Sequence, residues 1–174
     1  ATVSISVDPV NDTPVAQPQS VSLDEDGSLA ITLVGSDVDG DSLSYQVTAG
    51  PSNGVLSGTA PNLTYAPDVN FFGSDSFTFT VSDGALDSSE ATVSITVNSV
   101  NDIPVADAQS VTTDEDSSLA ITLSGSDVES TSLTYSVQGG PSSGSLSGTA
   151  PNLTYTPDAD FFGTDSFTFV VDDG

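Results

Sequence analysis

Apolar residues alternate with polar ones along most of the chain, as in Leu29, Ile31 and Leu33; Leu43, Tyr45 and Val47; Phe77, Phe79 and Val81; and Val93, Ile95 and Val97. A spacing of two places each set on one face of an extended strand, the signature of antiparallel sheets with a single buried face. No helical period survives for three turns. Between the alternating runs lie Asp39-Gly40-Asp41, Gly50-Pro51-Ser52-Asn53-Gly54, Ala66-Pro67-Asp68 and Asp83-Gly84, the residue types that tight turns require. The pattern predicts strands over roughly residues 15–23, 28–35, 42–48, 54–57, 62–66, 75–82 and 90–97.

A shift of 90 residues lays the chain on itself without a gap. Residues 11–84 and 101–174 are identical at 52 of 74 positions, and residues 1–10 match 91–100 at 7 of 10. The expected organisation is the last strand of a preceding repeat at 1–10, a complete repeat at 11–100, and a second repeat at 101–174 that lacks its final strand. Seven short strands in about ninety residues match the count and spacing of an immunoglobulin-like sandwich. The expected fold class is all-β, with tandem Ig-like Greek-key β-sandwiches in an elongated array.

Tyr45, Tyr65, Phe77 and Phe79 fall on the alternating pattern and are assigned to the core. Without tryptophan there is little to build an exposed platform for sugars. Only Phe71-Phe72 breaks the alternation; adjacent strand residues face opposite ways, so one of the pair is exposed or plugs an end of the sandwich.

Charge narrows the function. The chain carries 25 acidic residues and no lysine, arginine or histidine, a formal charge of −25. Nucleic acid is excluded as a partner, since binding it needs cations against the phosphates. Catalysis by lysine, histidine or cysteine has no side chain to use, and disulfides, thiolate metal sites and lysine crosslinks are ruled out. No window reaches the ~18 apolar residues of a membrane span, so no membrane insertion is expected. Residues 1–10 lack the basic start of a signal peptide, and a targeting signal is expected outside this stretch.

The acids gather where strands meet turns: Asp37-Val38-Asp39-Gly40-Asp41, Asp24-Glu25-Asp26, and Asn11-Asp12 with Asn101-Asp102. Two carboxylates 4 Å apart repel by on the order of 4 kcal/mol at an effective dielectric of 20. Such a cluster either splays into water or shares a cation. Ca²⁺ takes six to eight oxygens in a flexible shell, which Asp, Asn and glycine-containing turns supply; Mg²⁺ fits less well. For an isolated acid such as Asp87, a solvated, solubilising surface is the simpler reading.

These residues resemble a known family. Gly35-Ser36-Asp37-Val38-Asp39-Gly40-Asp41-Ser42-Leu43-Ser44-Tyr45 is similar to the Asp-x-Asp-x-Gly segment and following Leu-x-Tyr of cadherin repeats. Val81-Ser82-Asp83-Gly84 resembles their Ala-x-Asp-x-Gly segment, and Val93–Val97 leading to Asn101-Asp102-Ile103-Pro104 resembles the closing strand and Asn-Asp-x-Pro linker. With Phe-Phe-Gly-x-Asp-Ser-Phe and no basic residue, the style is that of bacterial cadherin-like and immunoglobulin-like repeats of large surface and biofilm adhesins.

The resemblance implies Ca²⁺ between successive repeats. The internal junction would use Asn101 and Asp102 of the linker, Asp127, Glu129, Asp173, and Glu25 of the unit before; the upstream junction would use Asn11, Asp12, Asp37, Asp39, Asp41 and Asp83. Three departures from the family pattern stand out. The linker places its first polar residue one position further from the Asn, and the Asp-x-Glu pair before the penultimate strand is missing, with only Asp68 and Asn70 nearby. The second copy reads Asp127-Val128-Glu129-Ser130-Thr131, having lost the glycine and the third aspartate, and its site is expected to be weaker or differently coordinated.

The function expected from this reading is a non-enzymatic, extracellular, cell-surface spacer whose linkers are stiffened by Ca²⁺, with neighbouring repeats of the same chain as partners. A cadherin-like module that binds surface polysaccharide is the alternative binding reading. An enzyme would rest on paired carboxylates, but these lie on turns that recur in both copies. A further alternative is a filament: residues 1–10 duplicate the strand missing from the second repeat, so the start of one copy could complete the end of another, head to tail.

Overall fold

The computed structural model describes all 174 residues, and every regular element is a β-strand. No helix is long and apolar enough to cross a membrane. The chain divides into two compact units, Ala1–Val100 and Asn101–Gly174.

In the first unit the strands are β1 (Val15–Ala16), β2 (Gln19–Asp24), β3 (Leu29–Thr32), β4 (Gly35–Ser36), β5 (Ser44–Ala49), β6 (Gly54–Thr59), β7 (Asn62–Pro67), β8 (Gly73–Ser82) and β9 (Ala91–Asn98). One sheet runs β2-β9-β8-β5, the other β3-β7-β6, and β1 pairs with β4. All pairings are antiparallel except β2 with β9, which run parallel in register from Gln19↔Val93 to Asp24↔Asn98.

The single strand expected over 15–23 is two strands. Proline has no N–H to give a ladder, and at Gln17-Pro18 the chain leaves β4 for β9. The strand expected over 28–35 is likewise two, β3 pairing with β7 and β4 with β1; the others form with ends shifted by a few residues.

Inward residues of both sheets form one core: Ile31, Leu63 and Tyr65 from one face, Phe77, Phe79, Val81, Val93, Ile95 and Val97 from the other. In β9 burial alternates strictly, as the sequence period requires. Burying each large aliphatic or aromatic side chain stabilises by about 1.5–3 kcal/mol. Phe71 packs against this core while Phe72 is 43% exposed, so the pair that breaks the alternation splits between inside and outside.

The second unit comprises β10 (Val105–Ala106), β11 (Leu119–Thr122), β12 (Gly125–Ser126), β13 (Thr134–Gly139), β14 (Gly144–Thr149), β15 (Asn152–Pro157) and β16 (Thr168–Asp172). Its ladders are β11-β15-β14, β13-β16 and β10-β12. Residues 101–174 contain no counterpart of β9. Accordingly, residues 109–114, which correspond to β2, join no ladder, and β16 begins at Thr168 rather than at Gly163, the counterpart of Gly73. The fully buried apolar core shrinks to Ile121, Leu123 and Leu153. Residues 1–10 form no strand and are exposed throughout.

Candidate metal centre

In the first unit the chain before β1, the loop after β4 and the end of β8 converge at one pole of the sandwich. The half-buried Asp37 accepts the N–H groups of Asp39 (2.9 Å) and Asp41 (3.2 Å) on Oδ1, curling the loop around its own carboxylate. Gly40 sits at φ +81°, a conformation that side-chain-bearing residues rarely adopt. Asp39 accepts the N–H of Asp12 at 2.8 Å. Asp83 accepts Ala85 and Leu86 N–H groups on Oδ1 and the Asn11 amide on Oδ2, at 2.6, 2.7 and 2.9 Å. The Leu86 N–H above all, with Asn11 and Ala85, holds the Asp83 carboxyl below the usual aspartate range.

Asp37 and Asp39 each spend one carboxylate oxygen on backbone N–H groups and leave the other. Oδ2 of Asp37 is cut off from solvent and has no partner. One oxygen from each of Asp37, Asp39 and Asp41 lies within 4.8 Å of the others.

Glu25 belongs to the opposite pole of this unit, at the end of β2. It is 5% exposed; Oε1 accepts the N–H of Val100 at 2.7 Å, and Oε2 is buried without a partner. Beside it, Asn98 donates to Asp24 at 3.0 Å. The parallel β2/β9 pair brings Glu25 to the residue that immediately precedes Asn101.

The second unit repeats the first pole with altered residues. Asn101 donates to Asp173 at 2.7 Å, and Glu129 takes the place of Asp39 by accepting the N–H of Asp102 at 2.9 Å. Asp127 accepts the N–H groups of Glu129 and Ser130 on Oδ1 at 3.1 and 2.6 Å. Oδ2 of Asp102, Oδ2 of Asp127 and Oε1 of Glu129 are all inaccessible and unpartnered.

Orphaned carboxylate oxygens are costly: a buried charge without a partner loses its hydration and gains nothing. With no lysine, arginine or histidine anywhere in the sequence, no side chain of this protein can neutralise them. An oxygen-only donor set of this kind fits a hard divalent cation.

One polar constellation escaped the sequence reading. Asp75, at the start of β8, is 8% exposed and accepts the N–H groups of Ser52 and Asn53, both at 3.0 Å, together with the hydroxyl of Tyr65. Asp165 does the same with Ser142, Ser143 and Tyr155. The sequence signal for it is the Phe-Phe-Gly-x-Asp motif, which recurs with its aspartate at positions 75 and 165.

A family profile described as "Bacterial Ig domain" matches residues 11–96 and again 101–174. An integrin beta-like protein B from Dictyostelium discoideum is 29% identical over 136 residues, 68% of this chain but 7% of that protein. Among solved structures, human mucin-like protocadherin EC1-2 superposes with a TM-score of 0.57 at 16% identity, over 92% of this chain and 88% of that one. Protocadherin Gamma B2 extracellular cadherin domains 3-6 give 0.53 at 14% identity, over 91% and 46%. At these identities the structural likeness speaks for the fold, which is that of Ig-like and cadherin domains. With the family profile matched twice, the chain belongs to the bacterial Ig domain family as two tandem, cadherin-like copies.

Proposed function

We propose that this chain is a non-enzymatic structural segment of an extracellular bacterial adhesin or surface fibre, in which Ca²⁺ bound at the repeat linkers stiffens the array. The observation that supports this most is the set of inaccessible, unpartnered oxygens on Glu25, Asp37, Asp102, Asp127 and Glu129 in a chain without a basic side chain. In the first unit Asp37, Asp39 and Asp41 would hold the ion with Asn11 and Asp12, while Asp83 orients Asn11 and keeps lone pairs turned to the same pole. In the second, Asp102, Asp127 and Glu129 would hold it with Asn101, which Asp173 orients. Glu25, at the far pole of the first unit, fixes the N–H of Val100 and offers its unpartnered Oε2 as a further candidate ligand there. Bound Ca²⁺ supplies the positive charge that the chain lacks.

Sites of extracellular-module affinity, about 0.1–1 mM, fill only where calcium is millimolar; cytosolic calcium is far too dilute, and this supports a cell-surface location. Calorimetric titration with CaCl₂, paired with small-angle scattering before and after chelation, tests the reading. Heat of binding in the sub-millimolar to millimolar range, and larger maximum dimensions with Ca²⁺ than with chelator, are expected. No binding at 10 mM CaCl₂ sinks the proposal.

A further inference from the structure

Charge is kept away from one flank of the first unit. The chain has 25 acids in 174 residues, yet residues 42–67 and 130–157 contain none, and these are its two longest acid-free runs. In the first unit the run covers β5, β6 and β7. It includes a free edge of each main sheet, since β5 pairs only with β8 and β6 only with β7. The bounding acids, Asp41 and Asp68, lie before β5 and just after β7. Where the second copy differs within this run, as at Ser136 for Gln46, Ser143 for Asn53 and Ser145 for Val55, the replacement is again neutral.

A free strand edge presents unpaired N–H and C=O groups that accept another strand unless something blunts it. Three of the four edges of the main sheets are blunted. Strand β2 ends in Asp24 and leads into Glu25-Asp26, β3 has only four residues and begins shortly after those same acids, and the β5 ladder shifts register between Val47 and Ala49. Strand β6 carries no such device. Its six residues pair with β7 without a shift and include neither proline nor charge, and Val55, Ser57 and Thr59 stand exposed. In the second unit β14 repeats this edge, with Ser145, Ser147 and Thr149 exposed.

We infer that β6 is a docking edge for a second copy of this chain, pairing antiparallel with the same strand of that copy and joining the two β3-β7-β6 sheets into one; β14 offers the same edge in the second unit. Charge selects this occupant. A basic or neutral foreign strand would not require an acid-free edge, whereas a copy of a chain with formal charge −25 does, because like charges brought face to face across a ladder oppose pairing. Each such contact uses the same surface on both copies and is isologous. The inference makes no use of calcium and stands independently of the proposed metal sites.

The test is sedimentation of the full chain in excess chelator, across a concentration series up to about 1 mM, at about 0.15 M and about 1 M NaCl, where the Debye length falls from near 8 Å to near 3 Å. A weight-average mass that climbs with concentration, and climbs further in high salt, is expected. Ser57→Glu together with Ser147→Glu should weaken the association about tenfold or more. Ser20→Glu together with Thr92→Glu, which adds the same charge on the exposed face of the β2-β9-β8-β5 sheet, should change it far less. The chain has no cysteine, so Ser57→Cys gives a second readout: diamide should link two copies of it much faster than two copies of Ser20→Cys. A monomer throughout the series, equal weakening by the two glutamate pairs, or equal crosslinking of the two cysteine variants overturns the inference.

Discussion

Tyr65 and Asp75 meet beside the β5–β6 turn, where the phenol donates to Oδ2 at 2.9 Å and the two residues are 0% and 8% exposed. The carboxylate also caps the N–H groups of Ser52, Asn53 and Ser76, so one side chain ties the β5–β6 turn to the core. Tyr65→Phe removes one bond and is expected to cost about 1–2 kcal/mol; Asp75→Ala strands the hydroxyl and turn N–H groups and is expected to cost about 3 kcal/mol or more. Urea denaturation of the two variants checks the order.

The backbone N–H groups around this carboxylate set a pH dependence. Burial raises the Asp165 carboxyl, but the N–H groups of Ser142, Ser143 and Ser166 and the Tyr155 hydroxyl outweigh it and bring the group to about 2; Asp75 is lowered in the same way. A carboxyl whose folded pKa lies below its unfolded value of about 3.9 stabilises the fold above that value and ceases to do so as pH falls through the folded one. Stability should therefore drop between about pH 4 and pH 2. Asp165→Asn, measured by urea midpoints over that range, should lose part of the drop. Tyr65 moves the opposite way, raised by burial and then by Asp75; its contribution holds up to about pH 10 and fades above it.

Calcium removal should be visible in melting. At 10 mM Ca²⁺, sites of about 0.1–1 mM affinity would stabilise by about 1.4–2.7 kcal/mol each, and chelation should reverse the gain. Differential scanning calorimetry with and without chelator reads this directly.

Neutralising a half-used carboxylate should change sign with the metal. Glu25→Gln and Asp37→Asn keep the hydrogen bonds to Val100 and to Asp39 and remove an uncompensated charge. In chelator both variants should equal or exceed the parent in stability, and in 10 mM Ca²⁺ both should fall below it by about 1 kcal/mol or more. A constant offset in the two conditions would assign these residues no part in ion binding.

Close approach of backbone to the tyrosine ring should make one glycine irreplaceable. A Cβ at Gly54 would sit 2.5 Å from the Ala66 carbonyl oxygen and 2.7 Å from the Tyr65 ring, and Gly144 faces Tyr155 in the same way. Gly54→Ala is expected to cost about 1–3 kcal/mol through overpacking, seen as a lower melting temperature.

How far the sequence revealed this molecule depends on which interactions were local. The alternation of Val93, Ile95 and Val97 announced β9 because burial on one face imposes a period of two. The break at Pro18 was visible as a residue type, but the change of sheet that it marks depends on β4 and β9, which lie far along the chain. Family resemblance put Glu25 beside the linker, and only the parallel β2/β9 pairing explains how it reaches Val100. Asp75 went unread because its four partners come from three separate segments. The unpaired oxygens of Asp127 and Glu129 are likewise invisible to any pattern, since accessibility is a property of the assembled fold.

Parallel pairing of β2 with β9 also decides how the first unit meets tension. Load entering at the start of β2 and leaving at the end of β9 pulls the two strands lengthwise in opposite senses, so the bonds between them resist in shear and must yield together instead of peeling apart one at a time. A strut built from such units would hold firm under drag until the whole ladder gave way.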